Sequence, residues 1–304
     1  MIGAQPHHAP PARARPPYTA PRHRGCFPAV LLLLFSPIFL CGLSLVAYLL
    51  LPPPSLSIIV LGLDARPNEG FMARADTVML ISVQPRAQRV SLLSIPRDLF
   101  FDVPGYGYQR INAVNMLGEM EGEGRGPSLV AQAIERGFGF SPNRYVRLNF
   151  EAFVELIDAV GGITVDIERP IVDPQYPTPD GGTMMLRFEP GVQVLDGERA
   201  LAYARTRYAD DDYARAGRQQ QVLLALSRRL LNPATWPAAL SVFSRSLDTD
   251  LTLLDAGAAL PAVVLNAGRF DRLVIDRSLI TANARGQAVP NYAALADWVN
   301  ERFD

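Results

Sequence analysis

The segment that decides the fold is Ser57-Ile58-Ile59-Val60-Leu61, followed directly by Gly62-Leu63-Asp64-Ala65-Arg66. It is apolar on both faces, which favours a strand at the centre of a sheet. The glycine ends the strand, so that Asp64 and Arg66 follow its carboxyl end. We therefore expect a buried strand that delivers charged side chains to one edge of the sheet.

Strands and helices alternate outward from this segment. The hydrophobic periodicity predicts further strands at 77–83, 89–95, 145–150, 163–167 and 270–275. It predicts helices at 110–119, 127–136, 151–160, 196–204, 212–231, 255–266 and 291–303. Proline and glycine make 170–191 a loop or hairpin excursion. The alternation predicts one α/β sandwich domain at 57–304.

A second apolar segment precedes this domain. Residues 27–51 contain no charged side chain, and a helix of that length spans roughly 37 Å, enough to cross a bilayer. Four arginines and no acid precede it, which predicts a cytoplasmic N-terminus and an extracytoplasmic domain. A cleaved signal peptide is the alternative, but the run is long and 48–53 offers no small-x-small cleavage site. We expect a cytoplasmic disordered tail at 1–26, a transmembrane helix at 27–51 and a linker at 52–56.

The residue types of the domain restrict its chemistry. All three histidines and both cysteines precede residue 52, and all 29 basic residues are arginine because the chain has no lysine. This excludes a Ser-His-Asp triad, a thiolate nucleophile and a Schiff base from the domain. Residues 55–304 hold 25 arginines against 30 acids, a balance that argues against nucleic-acid binding. The residue types that remain fit electrostatic chemistry on phosphates, which uses arginines and metal-bound carboxylates.

Two aspartates flank the connection between the first two strands. Asp64 follows the first strand, and Asp76 begins the second. The loop between them can bring both carboxylates together, and such a pair forms a Mg²⁺ or Mn²⁺ site with water and phosphate oxygens. The alternative is a pair of turn or surface residues without a ligand.

Two short motifs place arginine beside an acid or an amide. Pro96-Arg97-Asp98 follows a strand, where open α/β sheets carry their sites; the alternative is a plain ion pair. Arg110-Ile111-Asn112 begins a helix and could hold an anion at the helix N-terminus; the alternative is an exposed arginine.

The densest charged motif is Arg205-Thr206-Arg207 with the helix that follows it. On that helix Asp212, Arg215 and Gln219 share one face, because their spacings are three and four. The face continues as an apolar stripe, so the charges lie at the boundary of a buried surface. Arginines in this setting suit bidentate phosphate binding; the alternative is a structural arginine–aspartate network.

The order of these motifs resembles the LytR-CpsA-Psr family of cell-wall proteins, from about Ser57 to about Leu231. The resemblance is carried by Gly62-x-Asp64-x-Arg66, Arg74-x-Asp76-Thr77, Ser94-Ile95-Pro96-Arg97-Asp98, Arg110-Ile111-Asn112, Leu156-x-Asp158-x-x-Gly161-Gly162, Leu195-Asp196-Gly197, Tyr203-x-Arg205-x-Arg207 and Asp212-x-x-Arg215-x-x-Arg218-Gln219. It implies an α/β/α sandwich around a mixed central sheet, with a hydrophobic tunnel for a polyprenyl chain. Where the family often has lysine, this chain has Arg110.

The resemblance also implies a function. Such proteins are membrane-anchored phosphotransferases that move a glycopolymer from an undecaprenyl-pyrophosphate carrier to peptidoglycan through a phosphodiester bond. Carried over by position, Asp64 and Asp76 hold Mg²⁺. The pyrophosphate-binding set is Arg66, Arg97, Arg110, Arg205, Arg207, Arg215, Arg218 and Gln219.

The mechanism that follows needs a base for the acceptor hydroxyl. Without histidine, Asp98 and Asp212 are both candidates, and Arg97 and Arg207 complete the predicted catalytic set. Two other functions are alternatives, although the intact aspartates and arginines argue against the first, since a binder need not keep a metal site. One is a regulator that binds polyprenyl phosphates without turnover, and the other is a pyrophosphatase that releases the lipid to water.

Overall fold

A computed structural model describes residues 27–65, 70–178, 181–206, 212–266 and 269–303, with the backbone alone at 27–35, 37, 38, 41 and 212. The predicted tail at 1–26 lies outside the described residues. The chain divides into two compact units, Met1–Ala47 and Tyr48–Asp304.

The first unit contains most of helix α1, Phe27–Leu50. Over the described residues, no helix meets the length and apolarity needed to span a membrane. The transmembrane segment at 27–51 stays a prediction from the sequence.

The second unit alternates strands and helices, as the periodicity predicts. Its strands are β1 Leu56–Leu63, β2 Ala75–Gln84, β3 Arg89–Ile95, β4 Phe100–Val103, β5 Gly107–Arg110, β6 Arg144–Leu148, β7 Ile163–Ile167, β8 Ile171–Pro177, β9 Thr183–Phe188, β10 Gly191–Leu195, β11 Asp248–Thr249, β12 Asp271–Val274, β13 Ile280–Ala282 and β14 Ala288–Pro290. Its helices are α2 Ile111–Glu121, α3 Gly126–Phe138, α4 Phe150–Ala159, α5 Gly197–Arg205, α6 Asp212–Leu230, α7 Trp236–Ser246, α8 Leu253–Leu265 and α9 Tyr292–Phe303. Short 3₁₀ turns lie at Pro233–Thr235 and Arg277–Leu279.

A six-stranded mixed sheet forms the centre, in the order β11-β6-β1-β2-β3-β12. β1 runs parallel to β6 and antiparallel to β2, and β3 runs antiparallel to β2 and parallel to β12. The central place predicted for β1 is therefore confirmed, as is the mixed sheet.

Helices cover both faces of this sheet. Ile59, Leu61 and Leu63 pack in one core cluster with side chains of α2, α3 and α9. Ile58 and its neighbours on β2 and β3 pack against Ala262 of α8, and Leu224 of α6 packs on the same face. The alternation of β1 side chains between the two clusters produces an α/β/α sandwich.

A second core cluster lies beside the sheet and joins α4, α5, α6 and α7 to the β7–β10 and β8–β9 pairs. The 170–191 excursion is the β8–β9 hairpin. The β4–β5 hairpin and α7 were not predicted; the hairpin strands have four residues each, too few to show a period.

The two ends of β1 mark two ends of the sheet. Leu56 pairs with Val83 next to the Pro85–Gln88 turn, at the end where residues 52–55 join the domain; we call this the proximal end. Gly62 pairs with Thr77 at the opposite, distal end. Asp64, Asp76 and Arg97 all belong to the distal end, because β1 and β3 finish there and β2 begins there.

Candidate functional site

A β-bulge brings Asp64 and Asp76 together. Gly62 faces Thr77 and Leu63 faces Ala75, so Asp76 is the extra residue on β2. The amide of Asp64 donates to the carbonyl of Arg74 at 3.1 Å, which closes the base of the connecting loop. A bulge re-aims the side chain that it adds. Both carboxylates thereby line one cavity.

This cavity has a volume of about 460 Å³, in the usual range for a small-ligand site. Six of the residues predicted from the sequence line it: Asp64, Asp76, Arg97, Arg205, Arg215 and Gln219. Arg66, Arg207 and the side chain of Asp212 lie outside the described residues.

Arg97 connects the cavity to the surface through two aspartates. Its Nη1 lies 2.7 Å from Oδ1 of Asp76, and its Nε lies 3.7 Å from Oδ2 of Asp98. Asp98 is exposed and also lies 4.0 Å from the guanidinium of Arg110, which stands over the Phe100 ring. Neither Asp98 nor Arg110 lines the cavity. The structure therefore places this pair beside the site rather than inside it.

Side chains of helix α6 lie in two different environments. Arg215 and Gln219 line the cavity, and Arg215 is buried. Arg218 is also buried, but it donates from Nε to the carbonyl of Tyr203 at 3.0 Å and from Nη2 to the carbonyl of Thr206. It does not line the cavity, since it is occupied with the backbone at the end of α5. This departs from the expectation that Arg218 binds pyrophosphate.

Arg205 enters the cavity from the end of α5. Its guanidinium stacks 4.0 Å from the centroid of Phe150, which also lines the cavity. Burial raises the pKa of the Tyr176 phenol, and the neighbouring Arg205 offsets this only in part. Tyr176 therefore stays a neutral hydrogen-bonding group in the cavity wall.

The structure adds a carboxylate that the sequence reasoning missed. Asp173 on β8 lines the cavity, and only 5% of its surface is exposed. Its Oδ2 accepts from the Thr206 hydroxyl at 2.7 Å, and its Oδ1 accepts from the amide of Gln175 at 3.1 Å. Within the described chain no arginine pairs with it. Its only sequence signal is an aspartate before Pro174 in an excursion, which does not reveal that the hairpin faces the cavity.

A buried polar network supports the loop between Asp64 and Asp76. Asn115 donates to the carbonyls of Phe71 and Ala73, both at 3.0 Å. Arg147 donates to Asn115 at 3.3 Å and to Glu119 at 2.7 Å, and it stacks over Phe71. Burial acts to raise the pKa of Glu119, but Arg147 and the Gly124 and Gly126 amides outweigh it, so the pKa is lowered. Glu119 is thus an ionised partner that fixes Arg147.

The donors at Asp64 and Asp76 fit a divalent cation of the Mg²⁺ type. Mg²⁺ is commonly bound through one or two carboxylates, with waters and phosphate oxygens as its other ligands. Among the described residues no three acidic, histidine or cysteine side chains form an enclosing metal cluster. The two aspartates can therefore supply a partial shell that a phosphate ligand completes.

Comparison with known proteins identifies relatives of this chain. The family model described as the LytR_cpsA_psr family matches residues 53–275. The Polyisoprenyl-teichoic acid--peptidoglycan teichoic acid transferase TagU of Oceanobacillus iheyensis is 34% identical over 204 residues, 66% of this chain and 60% of that protein. The chain thus aligns with less than two thirds of that relative's length.

Solved structures share the fold. Bacillus subtilis TagV has a TM-score of 0.64 at 23% identity, over 82% of this chain and 96% of that one, a likeness that concerns the fold alone. TagT bound to LIIa-WTA has a TM-score of 0.61 at 25% identity, over 82% of this chain and 90% of that one.

Proposed function

This chain belongs to the LytR_cpsA_psr family, and from that premise we propose that it transfers a glycopolymer from a polyprenyl-pyrophosphate carrier to peptidoglycan, forming a phosphodiester bond. The observation that carries the proposal is the single cavity that gathers Asp64 and Asp76 with Arg97, Arg205 and Arg215. Two oxygen donors for a cation and three guanidinium groups are the groups that a pyrophosphate requires.

The arginines have distinct surroundings that suit distinct roles. Arg97 is held by Asp76, and Arg205 by the Phe150 ring, so each is pre-oriented toward the cavity. Arg215 is buried and loses little solvation when it binds an anion. In this proposal all three neutralise charge on the phosphoryl oxygens, and Arg218 instead positions the backbone between Tyr203 and Thr206.

Mg²⁺ (or Mn²⁺), when bound by Asp64 and Asp76, would supply further charge neutralisation at the phosphate oxygens. The bulge at Asp76 and the place of both carboxylates in the wall of one cavity support this role. Removing the ion with EDTA tests the requirement for it without replacing Asp76, the partner of Arg97.

The transfer also needs a proton acceptor. The acceptor hydroxyl oxygen bonds to the sugar-linked phosphorus, the bond from phosphorus to the lipid phosphate breaks, and the hydroxyl proton moves to a carboxylate. Asp98 is exposed and outside the cavity wall, whereas Asp173 lines the cavity and pairs with no arginine in the described chain. We place the proton on Asp173, with the Thr206 hydroxyl bond fixing its orientation.

In this proposal, the apolar run at 27–51 anchors the domain at the outer surface of the cell membrane, and the membrane holds the lipid carrier. This part of the proposal is supported by the apolar run and by the four arginines that precede it. The proposal also includes the hydrophobic tunnel that the family resemblance implies, which would hold the polyprenyl chain.

The test uses the purified full chain, a short-chain lipid-pyrophosphate oligosaccharide, peptidoglycan fragments and Mg²⁺, with products measured by mass spectrometry. We expect a phosphodiester-linked product that is lost with EDTA or in Asp76→Ala. The matched control is Asp297→Ala, an exposed aspartate on α9, which should keep full activity.

Other outcomes separate the alternatives. Lipid phosphate released without a linked product would indicate a pyrophosphatase. Tight lipid binding with neither product would indicate a regulator that binds without turnover.

A further inference from the structure

Helix α8 presents an apolar surface to its surroundings. Its sequence, LLDAGAALPAVVL, contains one charged residue, and its side chains at Leu253 and Leu254 are 77% and 85% exposed. Val264 and Leu265 at its other end are exposed as well. A surface helix ordinarily carries polar side chains outward, so this outward face is unusual for contact with water.

The one charge on α8 does not serve the outward face. Asp255 accepts from Nε of Arg144 at 2.9 Å and from the amide of Thr252 at 2.9 Å, where it completes a capping box at the helix N-terminus. The carboxylate of Asp255 is therefore bonded to Arg144 of the sheet and to the helix cap.

Both ends of α8 are fixed at the proximal end of the sheet. Asp255 forms an ion pair with Arg144. On β6, Arg144 pairs with Ile58 near the start of β1. At the other end, Asn266 donates 2.7 Å to the carbonyl of Gln88 in the β2–β3 turn. Between them Ala262 packs in one cluster with Leu56. The helix thus crosses the sheet where residues 52–55 join the domain.

We propose that the outward face of α8 lies on the lipid bilayer, with its leucines at the boundary of the acyl chains. Chain connectivity favours this occupant: four residues, 52–55, separate β1 from the apolar run at 27–51, so a bilayer holding that run is close to the proximal end. Exposed Arg86 and Arg269 flank the end of α8 and suit contact with anionic headgroups. The inference rests on the membrane anchor of the proposed function but not on its chemistry.

The experiment uses the full chain with Cys26→Ser and Cys41→Ser, reconstituted into vesicles of phosphatidylethanolamine and phosphatidylglycerol. A spin label is attached at Leu254→Cys, at Leu265→Cys or, as the matched control, at Met72→Cys. Met72 is also an exposed apolar side chain, but it lies in the loop at the distal end. Collisions with oxygen and with a water-soluble nickel complex are measured by power saturation.

We expect the labels at 254 and 265 to lose most nickel collisions and keep those with oxygen, while the label at 72 keeps its nickel collisions. Equal nickel access at 254 and 72 would overturn the inference, as would a chain that does not float with the vesicles. Dipolar broadening at 254 that survives dilution into excess lipid would assign the face to a second copy, which also overturns it.

The transfer reaction is measured on the same vesicles. Shielded labels without transfer would refute the proposed function alone. Transfer with a nickel-accessible label at 254 would refute only the docking of α8.

Discussion

At the residue scale, Thr206 is held from two sides. Its hydroxyl donates to Asp173, and its carbonyl accepts from Arg218. Its own amide bonds to Ala202 as the cap of α5. Because Thr206 directly follows Arg205, these bonds fix the backbone from which Arg205 enters the cavity. Arg218 thereby affects the site without lining it.

Asp173 provides the sharpest test at this scale. Asp173→Asn keeps an oxygen that can accept from the Thr206 hydroxyl but removes the proton acceptor. We expect kcat to fall by roughly 10²–10⁴ with KM little changed, the range typical for loss of a general base. The measurement is steady-state transfer, with kcat and KM determined separately for the variant and the wild type.

Thr206→Val is the companion variant, since it removes only the hydroxyl bond to Asp173. It should lower kcat less than Asp173→Asn does. Wild-type activity in Asp173→Asn would remove Asp173 from the chemistry and return the role of base to Asp98 or Asp212.

At the element scale, the structure shows which parts of the site local sequence can predict. Arg215 and Gln219 line the cavity together, as do Asp64 and Asp76, and local sequence can indicate both arrangements because helical spacing and a strand connection are local features. Asp173 was not predicted, because its place depends on how the β8–β9 hairpin packs against α5. Arg218 follows the same helical spacing but meets the α5 backbone, a neighbour that no local pattern reveals.

The cap of α8 makes an element-scale prediction in pH. The Arg144 hydrogen bond, followed by the Thr252 amide and hydroxyl, lowers the pKa of Asp255 to about 2 from its ordinary 3.8. A lowered pKa stabilises the folded state above the unfolded value, and this stability is lost as the pH falls from about 4 toward 2. Asp255→Asn should lower Tm at pH 7 and flatten the Tm profile in that window.

Arg144→Gln should flatten the same profile in part, because Asp255 keeps its bonds to Thr252. Calorimetry between pH 2 and 7 measures both variants. If the Tm profile of Asp255→Asn parallels that of the wild type, the Asp255 carboxylate does not contribute to the pH dependence of stability.

At the scale of the whole molecule, Arg147 joins parts of the chain that are distant in sequence. From β6 it reaches Glu119 on α2 and Asp248 on β11, and it covers Phe71 in the loop that leads to Asp76. Since Arg147 and Glu119 are both buried, removing one leaves the other charge without its partner. The network therefore couples the stability of the sandwich to the shape of the site.

We expect Arg147→Ala to lower the free energy of unfolding by about 3–5 kcal/mol, the usual cost of breaking a buried pair. Urea unfolding followed by circular dichroism measures it. Arg125→Ala, which breaks an exposed pair with Glu121, is the control and should change stability by roughly 0–1 kcal/mol. Equal losses in the two variants would contradict a structural role for the network.

Strand β1 has one further consequence, for where in the envelope the reaction occurs. Its eight residues, at about 3.3 Å each, separate the proximal end from Asp64 by about 26 Å. If α8 rests on the bilayer as proposed, the length of β1 bounds how far from the membrane surface the proposed phosphate site can lie. The proposed transfer would then require the hydrocarbon of the carrier to be drawn out of the membrane and into the protein. In the proposed transfer, only wall strands that pass near that height would receive the polymer, so the length of one strand would select the layer of wall that is decorated.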